Sequence, residues 1–169
     1  MIDGDCLIPS NFVMNHQNLS KKKTVVAGSR VLLNKDDSLD LLEKGFECNQ
    51  QKLFQNKKFL SLPLGFFRDV QKTNWKLART CNLSAHTDDL LAVDGFDEAY
   101  VGWGREDSDL VVRMINNGCS IRSGRMAVCA QHIYHQPESR HRLSKNDRLL
   151  RDVLEFCRFN AKKSILKDI

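Results

Sequence analysis

VGWGREDSDL, residues 101–110, sets two glycines around a tryptophan and runs directly into Glu106, Asp107 and Asp109. Beyond it Leu110, Val111, Met114 and Ile115 recur at helical spacing, and Gly118 ends the pattern, so a helix beginning near Arg105 is expected. Carboxylates in a first turn meet the positive end of the helix dipole, worth about 0.3–1 kcal/mol each. Capping accounts for the acids. It does not account for Gly102-Trp103-Gly104, which brings bare backbone and a large flat ring beside them. Indole faces pack well on the apolar face of a sugar ring, and a carboxylate held next to such a ring can act as general base on a sugar hydroxyl.

Working outward, β-branched and apolar residues over 24–33 predict a buried strand interrupted by Gly28. A short strand is expected over 79–84, and a helix carrying Leu90, Leu91 and Val93 follows it, with Gly95 as its C-cap. Strand-like residues 126–134 lead to His132 and His135, and a last amphipathic helix is expected from about Lys145 to Ala161. Near the start, Pro9-Ser10 opens a helix to about Asn18. Strands and helices alternate, which predicts an α/β fold. Four regions are expected within a single domain: a strand region over 1–35, a helical insert over 36–78 broken at Leu62-Pro63-Leu64-Gly65, a central block over 79–140, and a C-terminal helix region over 141–169.

The 169 residues suffice for one core, and 41% hydrophobic with 28% charged residues is ordinary for a soluble globular protein. No apolar run reaches the roughly 20 residues of a membrane span, and MIDGDCLIPS lacks the basic start and apolar core of a signal peptide. A cytoplasmic location is the expectation. The net charge of +5 includes clusters at Lys21–Lys23 and at Lys162, Lys163 and Lys167. The second cluster is compatible with peripheral contact at the inner face of a membrane. The basic residues carry no interleaved aromatic platform, so nucleic acid is not expected. Six cysteines without a Cys-x-x-Cys pair make neither a zinc site nor, lacking a secretory signal, a disulfide framework.

Two further constellations could carry chemistry. Asp3-Gly4-Asp5 offers two hard oxygen donors at a strand end, suited to Mg²⁺ or Mn²⁺, although the same residues also read as an Asp-Gly turn. His132 and His135 offer imidazoles suited to a transition ion. On a strand, residues three apart face opposite sides, so both could reach one ion only if the chain turned between them.

The ordered block NLSAHTDDLLAVDGFDEAYVGWGREDSDLVVRM (82–114) resembles the C-terminal part of GT-A glycosyltransferases. It is similar to bacterial family 2 enzymes and to the C-terminal domain of β-1,4-galactosyltransferases. The resemblance implies a GT-A (Rossmann-like) fold with a mixed central sheet flanked by helices, of which this chain would hold only part. It implies inverting, metal-dependent transfer of a hexose or N-acetylhexosamine from a nucleotide-diphosphate sugar, such as a UDP-sugar, to a glycan or lipid-linked glycan. Such a step belongs to surface polysaccharide or lipooligosaccharide synthesis. By the same resemblance Asp3 and Asp5 form the Asp-x-Asp motif for Mn²⁺ (or Mg²⁺), with His132 and His135 as further metal ligands. Asp107 matches the catalytic base, Trp103, Gly104 and Glu106 the acceptor site, and Asn82 and Ser84 donor-sugar contacts. The family's first βαβ units, which hold the nucleotide, have no counterpart before Asp3. The expectation is therefore a chain with weak or absent activity by itself, whether a truncated and inactive product, one completed by a separate N-terminal half, or the back part of a longer working enzyme; the alternative is a non-catalytic module that binds a glycan or another partner.

Overall fold

The structure is a computed structural model and describes residues 1–44, 68, 73–164 and 166. Its elements are Cys6–Leu7 (β1), Phe12–Leu19 (α1), Thr24–Ala27 (β2), Ser29–Leu32 (β3), Lys35–Lys44 (α2), Leu83–Ser84 (β4), Thr87–Leu91 (α3), Glu106–Asn116 (α4), Ser120–Ser123 (β5), Cys129–His132 (β6) and Leu143–Glu155 (α5). Most of the expected helical insert, including the break at Leu62-Pro63-Leu64-Gly65, lies outside the described residues, as do Cys48 and Lys167.

The β-branched run over 24–33 divides at Gly28, as its sequence predicts, and the division separates two sheets. β2 is the middle of the order β4-β2-β5, antiparallel to β4 and parallel to β5. β3 lies at the edge of the order β1-β6-β3, parallel to β6, which pairs with β1 in antiparallel sense. The fold is thus α/β, with two mixed three-stranded sheets flanked by helices in a partial Rossmann-like arrangement, where one central sheet was expected.

At the junction the chain changes partners. Gly28 donates its N–H to Asn82 O at 2.9 Å, and Ser29 donates to Val128 O at 2.9 Å. A side chain on residue 28 would stand 2.2 Å from Asn82 Cγ, so only glycine fits. Asn82 itself is 1% exposed; its Nδ2 donates to Ser29 O at 2.7 Å and Val128 O at 3.2 Å, and its Oδ1 lies 2.9 Å from His16 Nε2. Ser84 Oγ lies 2.8 Å from the other ring nitrogen of His16. Because Asn82 Oδ1 can only accept, His16 Nε2 carries the proton and Nδ1 accepts from Ser84. This closed network binds α1 to both sheets.

The main core lies between the β4-β2-β5 sheet and α4: Val25, Ala27, Leu83 and Ile121 pack with Leu110, Val111 and Met114. On its other side α4 presents Val112 to Leu150 and Val153 of α5. A helix covered on both faces needs apolar residues nearly all round, which explains the uninterrupted LVV run. A smaller cluster of Phe12, Val128 and Ala130 sits beneath the β1-β6-β3 sheet.

Three element boundaries differ from the sequence reading. The strand expected over 79–84 shortens to Leu83–Ser84, because Asn82 N donates to Arg79 O in a turn. The strand expected over 126–134 shortens to Cys129–His132. The last helix runs Leu143–Glu155 rather than to Ala161, and Cys157 follows with φ +47°, a left-handed conformation that stops it. Lys162 and Lys163 therefore lie beyond the helix. Their ammonium groups face Asp152 at 2.9 Å and Glu98 at 3.6 Å, so these two lysines are paired within the chain. No helix among the described residues is long and apolar enough to cross a membrane.

Candidate functional site

His132 is the last residue of β6, the middle strand of its sheet, at the end toward which parallel β3 and β6 both run. In open α/β sheets ligands collect at these carboxyl ends. β1 lies on the other side of β6 with Cys6 directly opposite His132, and Ile133 N donates to Asp5 O at 2.9 Å. Asp5 is thereby fixed beside the strand end. The chain leaves the sheet after His132, which removes the alternation that would have set His135 on the opposite side. The two imidazoles lie 5.1 Å apart between centroids, and both address one carboxylate. His132 Nε2 is 3.3 Å from Asp5 Oδ1, and His135 Nε2 is 3.2 Å from Asp5 Oδ2.

The tautomers give these contacts their meaning. His132 Nδ1 lies 2.9 Å from Ile133 O and His135 Nδ1 lies 2.8 Å from Gln136 O, and a carbonyl oxygen can only accept. In the neutral rings both Nδ1 atoms therefore carry the protons, and both Nε2 lone pairs point at carboxylate oxygens. Asp5 Oδ1 is enclosed yet accepts no hydrogen bond. Lone pairs facing lone pairs are unfavourable unless a positive charge lies among them. Two added protons would supply it, and so would a divalent ion; the ligand atoms that lie within 4.8 Å of one another belong to Asp5, Cys6 and His132, with His135 on the other oxygen of Asp5. An Asp-His-His set with ring N–H groups anchored to backbone carbonyls is the arrangement that suits a transition ion. The residues present fit a metal.

Cys6 belongs to the same cluster. Its sulfur, a carboxylate oxygen of Asp5 and a ring nitrogen of His132 all lie within 4.8 Å of one another. Burial first, and then the nearby Cys81, Asp3 and Asp5, push this thiol up to about 11. Sequence reasoning passed over Cys6, although its place beside Asp5 was a signal. Asp3 is exposed, and its carbonyl accepts from Cys6 N at 3.2 Å, but its carboxylate is not among the ligand atoms gathered by Asp5, Cys6 and His132.

Burial first holds the Glu106 carboxyl above its usual range, and the charges of Asp107 and Asp3 add to this, while backbone N–H groups of Glu106 and Gly104 oppose it. Glu106 Oε2 is buried without a hydrogen-bond partner. Asp107 is half-buried; its Oδ1 accepts from Ser108 N at 2.6 Å and Ser108 Oγ at 3.2 Å, which fixes the plane of the carboxylate.

The Gly-Trp-Gly turn is held from α5. Asn146, 1% exposed, donates from Nδ2 to Gly104 O at 2.8 Å, and Arg105 Nε donates to Asp147 at 2.6 Å. Gly102 and Gly104 adopt φ +76° and +101°, and Arg105 at +79° enters the helix from the left-handed region. Side chains would be strained at both glycines, and at Gly104 a Cβ would also stand 3.2 Å from Leu143 Cδ1. Trp103 is 44% exposed, with the Arg140 guanidinium 4.8 Å from the ring centroid. Nothing in the sequence marked Asn146 or Arg140.

Asp109 has a different part from its two neighbours. It is fully enclosed, paired to Arg113 Nε at 2.7 Å, and accepts from Tyr100 OH at 3.2 Å. Arg113 in turn donates to Val93 O and to Gly95 O at 2.7 Å, fastening α4 to the loop after α3. Asn82 and Ser84, expected to meet a donor sugar, are engaged in the His16 network at the sheet junction.

Comparison with known families locates the same region. Residues 68–136 match the family described as the N-terminal domain of galactosyltransferase, a span that includes Asn82 to Met114 and both His132 and His135. No curated protein matches the chain. The family 2 and β-1,4-galactosyltransferase assignments are finer than this match. Taken with the α/β fold, the match supports a glycosyltransferase-like domain.

Proposed function

We propose that this chain transfers a hexose or N-acetylhexosamine from a nucleotide-diphosphate sugar to a glycan hydroxyl, with inversion, using a divalent ion such as Mn²⁺ held by Asp5, His132 and His135. The observation that carries this reading is the convergence of the Nε2 atoms of His132 and His135 on the Asp5 carboxylate at 3.2–3.3 Å. When bound, the ion supplies positive charge that offsets the charge developing on the departing diphosphate. Asp3, exposed two residues before Asp5, would be the second acid offered to the same diphosphate-bearing ligand.

On the acceptor side, Trp103 packs against the sugar ring and Glu106 accepts a hydrogen bond from one of its hydroxyls. Asp107 takes the proton of the attacking hydroxyl as its oxygen bonds to the anomeric carbon and the bond to diphosphate breaks. A nucleoside diphosphate leaves, and the anomeric configuration inverts because the single displacement uses one face. Ser108 holds Asp107 in orientation, and Asn146 holds the turn that carries Trp103. A lipid-linked acceptor and a role in surface polysaccharide or lipooligosaccharide synthesis are consistent with this chemistry.

The test is sugar transfer from a panel of UDP-sugars to neutral oligosaccharides, with Mn²⁺ and with a chelator. Transfer that needs the ion and falls at least about 100-fold in Asp107→Asn supports the reading. Glycan binding that survives both the chelator and Asp107→Asn, with no transfer, would instead identify a binding module.

A further inference from the structure

We propose that Cys6 is a fourth donor of the metal centre and biases it toward thiophilic ions such as Zn²⁺, Co²⁺ and Cd²⁺ over Mn²⁺ and Mg²⁺. The proposal rests on the reading of Asp5, His132 and His135 as ligands, and adds to that reading the identity of the ion. Three observations support it. Cys6 and His132 are directly opposed in the β1–β6 ladder, so their side chains leave the same face of the sheet. The sulfur, the Asp5 oxygen and the His132 nitrogen lie within 4.8 Å of one another, a span that one ion at bonding distance from each can bridge. The sulfur's other polar contact is weak: it faces Cys81 O at 3.9 Å.

Asp5, Cys6 and His132 carry one oxygen, one sulfur and one nitrogen within that span, and a small approach of His135 from the other Asp5 oxygen would complete a tetrahedral set for a borderline or soft ion rather than an octahedral oxygen site. On coordination the thiol proton leaves to solvent and the sulfur–metal bond forms, with no change in oxidation state. His132 is 7% exposed, so this edge of the site is enclosed, whereas His135 is exposed and leaves the opposite edge open for a ligand.

The test is a Co²⁺ titration followed by absorption spectroscopy, on the wild-type chain, Cys6→Ser, Cys6→Ala and Asp5→Asn, each checked for folding by circular dichroism. The proposal predicts a near-ultraviolet thiolate-to-cobalt charge-transfer band in the wild type. That band should vanish in both Cys6 variants while weaker Co²⁺ binding persists. The preference for Cd²⁺ over Mn²⁺, measured by calorimetry, should fall by roughly tenfold or more. Asp5-dependent Co²⁺ binding without the band in the wild type would overturn the role of Cys6 and leave the metal centre intact. The band persisting in Cys6→Ser would assign the sulfur to another cysteine and overturn it equally. Absence of any Asp5-dependent binding would overturn the metal centre itself.

Discussion

Arg113 and Asp109, one helical turn apart on α4, form an ion pair from which solvent is fully excluded, at 2.7 Å. Asp107, two residues earlier, is half-buried, and its Oδ1 accepts from Ser108. The acids of one short stretch therefore divide between support and chemistry, and their substitutions should separate. Asp109→Asn leaves Arg113 without its counter-charge, and a broken buried pair costs about 3–5 kcal/mol. Asp107→Asn should change stability by less than about 1 kcal/mol while removing transfer. Urea unfolding of the two variants beside an activity assay checks the contrast.

The junction of the two sheets gives a pH signature. Burial holds His16 below its ordinary value of 6.5. A base whose folded value is depressed binds its proton more readily when unfolded, so stability is full above pH 6.5 and declines as pH falls below it. The ring must also give up its acceptor role toward Ser84 to take that proton. His16→Gln should flatten the fall below pH 6.5 at some cost in stability at neutral pH, measured by thermal unfolding across pH 5–8.

Glu106 works in the other direction. Burial raises its carboxyl above the ordinary 4.5, so ionisation is easier in the unfolded chain and stability declines as pH rises above that value. Glu106→Gln should melt higher than the wild type at pH 7 and bind the acceptor more weakly. A variant that melts lower would contradict the buried carboxylate, with its Oε2 unpartnered, on which this rests.

At Gly104 an alanine meets both a left-handed backbone and Leu143. The expected cost is about 1–3 kcal/mol, with a higher acceptor KM because Trp103 shifts with the turn. Asn146→Ala should raise the same KM without touching the donor KM. Initial rates over a matrix of donor and acceptor concentrations would separate the two.

How far the sequence disclosed this arrangement varies with the range of the interactions. The strand break at Gly28, the helix after Gly-Trp-Gly and its stop at Gly118 follow from local periodicity and backbone preference, and they are readable along the chain. That Gly28 divides two sheets depends on Asn82 filling the space beside it, a contact between distant segments with no local signature. The same limit applies to Asn146 under Gly104, and to Cys6 opposite His132. Asp109 was legible in part: an acid four residues before an arginine inside an apolar helix signals a buried pair. Capping explained its place so fully that its burial went unread. Asn82 and Ser84 show the converse, polar residues whose partners lie within the fold.

The central claim, that Asp5, His132 and His135 hold an ion to which a diphosphate binds, is tested most directly by calorimetric titration of UDP with and without Mn²⁺. The wild-type chain should bind UDP measurably only with the ion present. Asp5→Asn should weaken that binding by about tenfold or more, and His132→Gln should do the same. UDP binding of equal strength in chelator, or undiminished in both variants, would contradict the account.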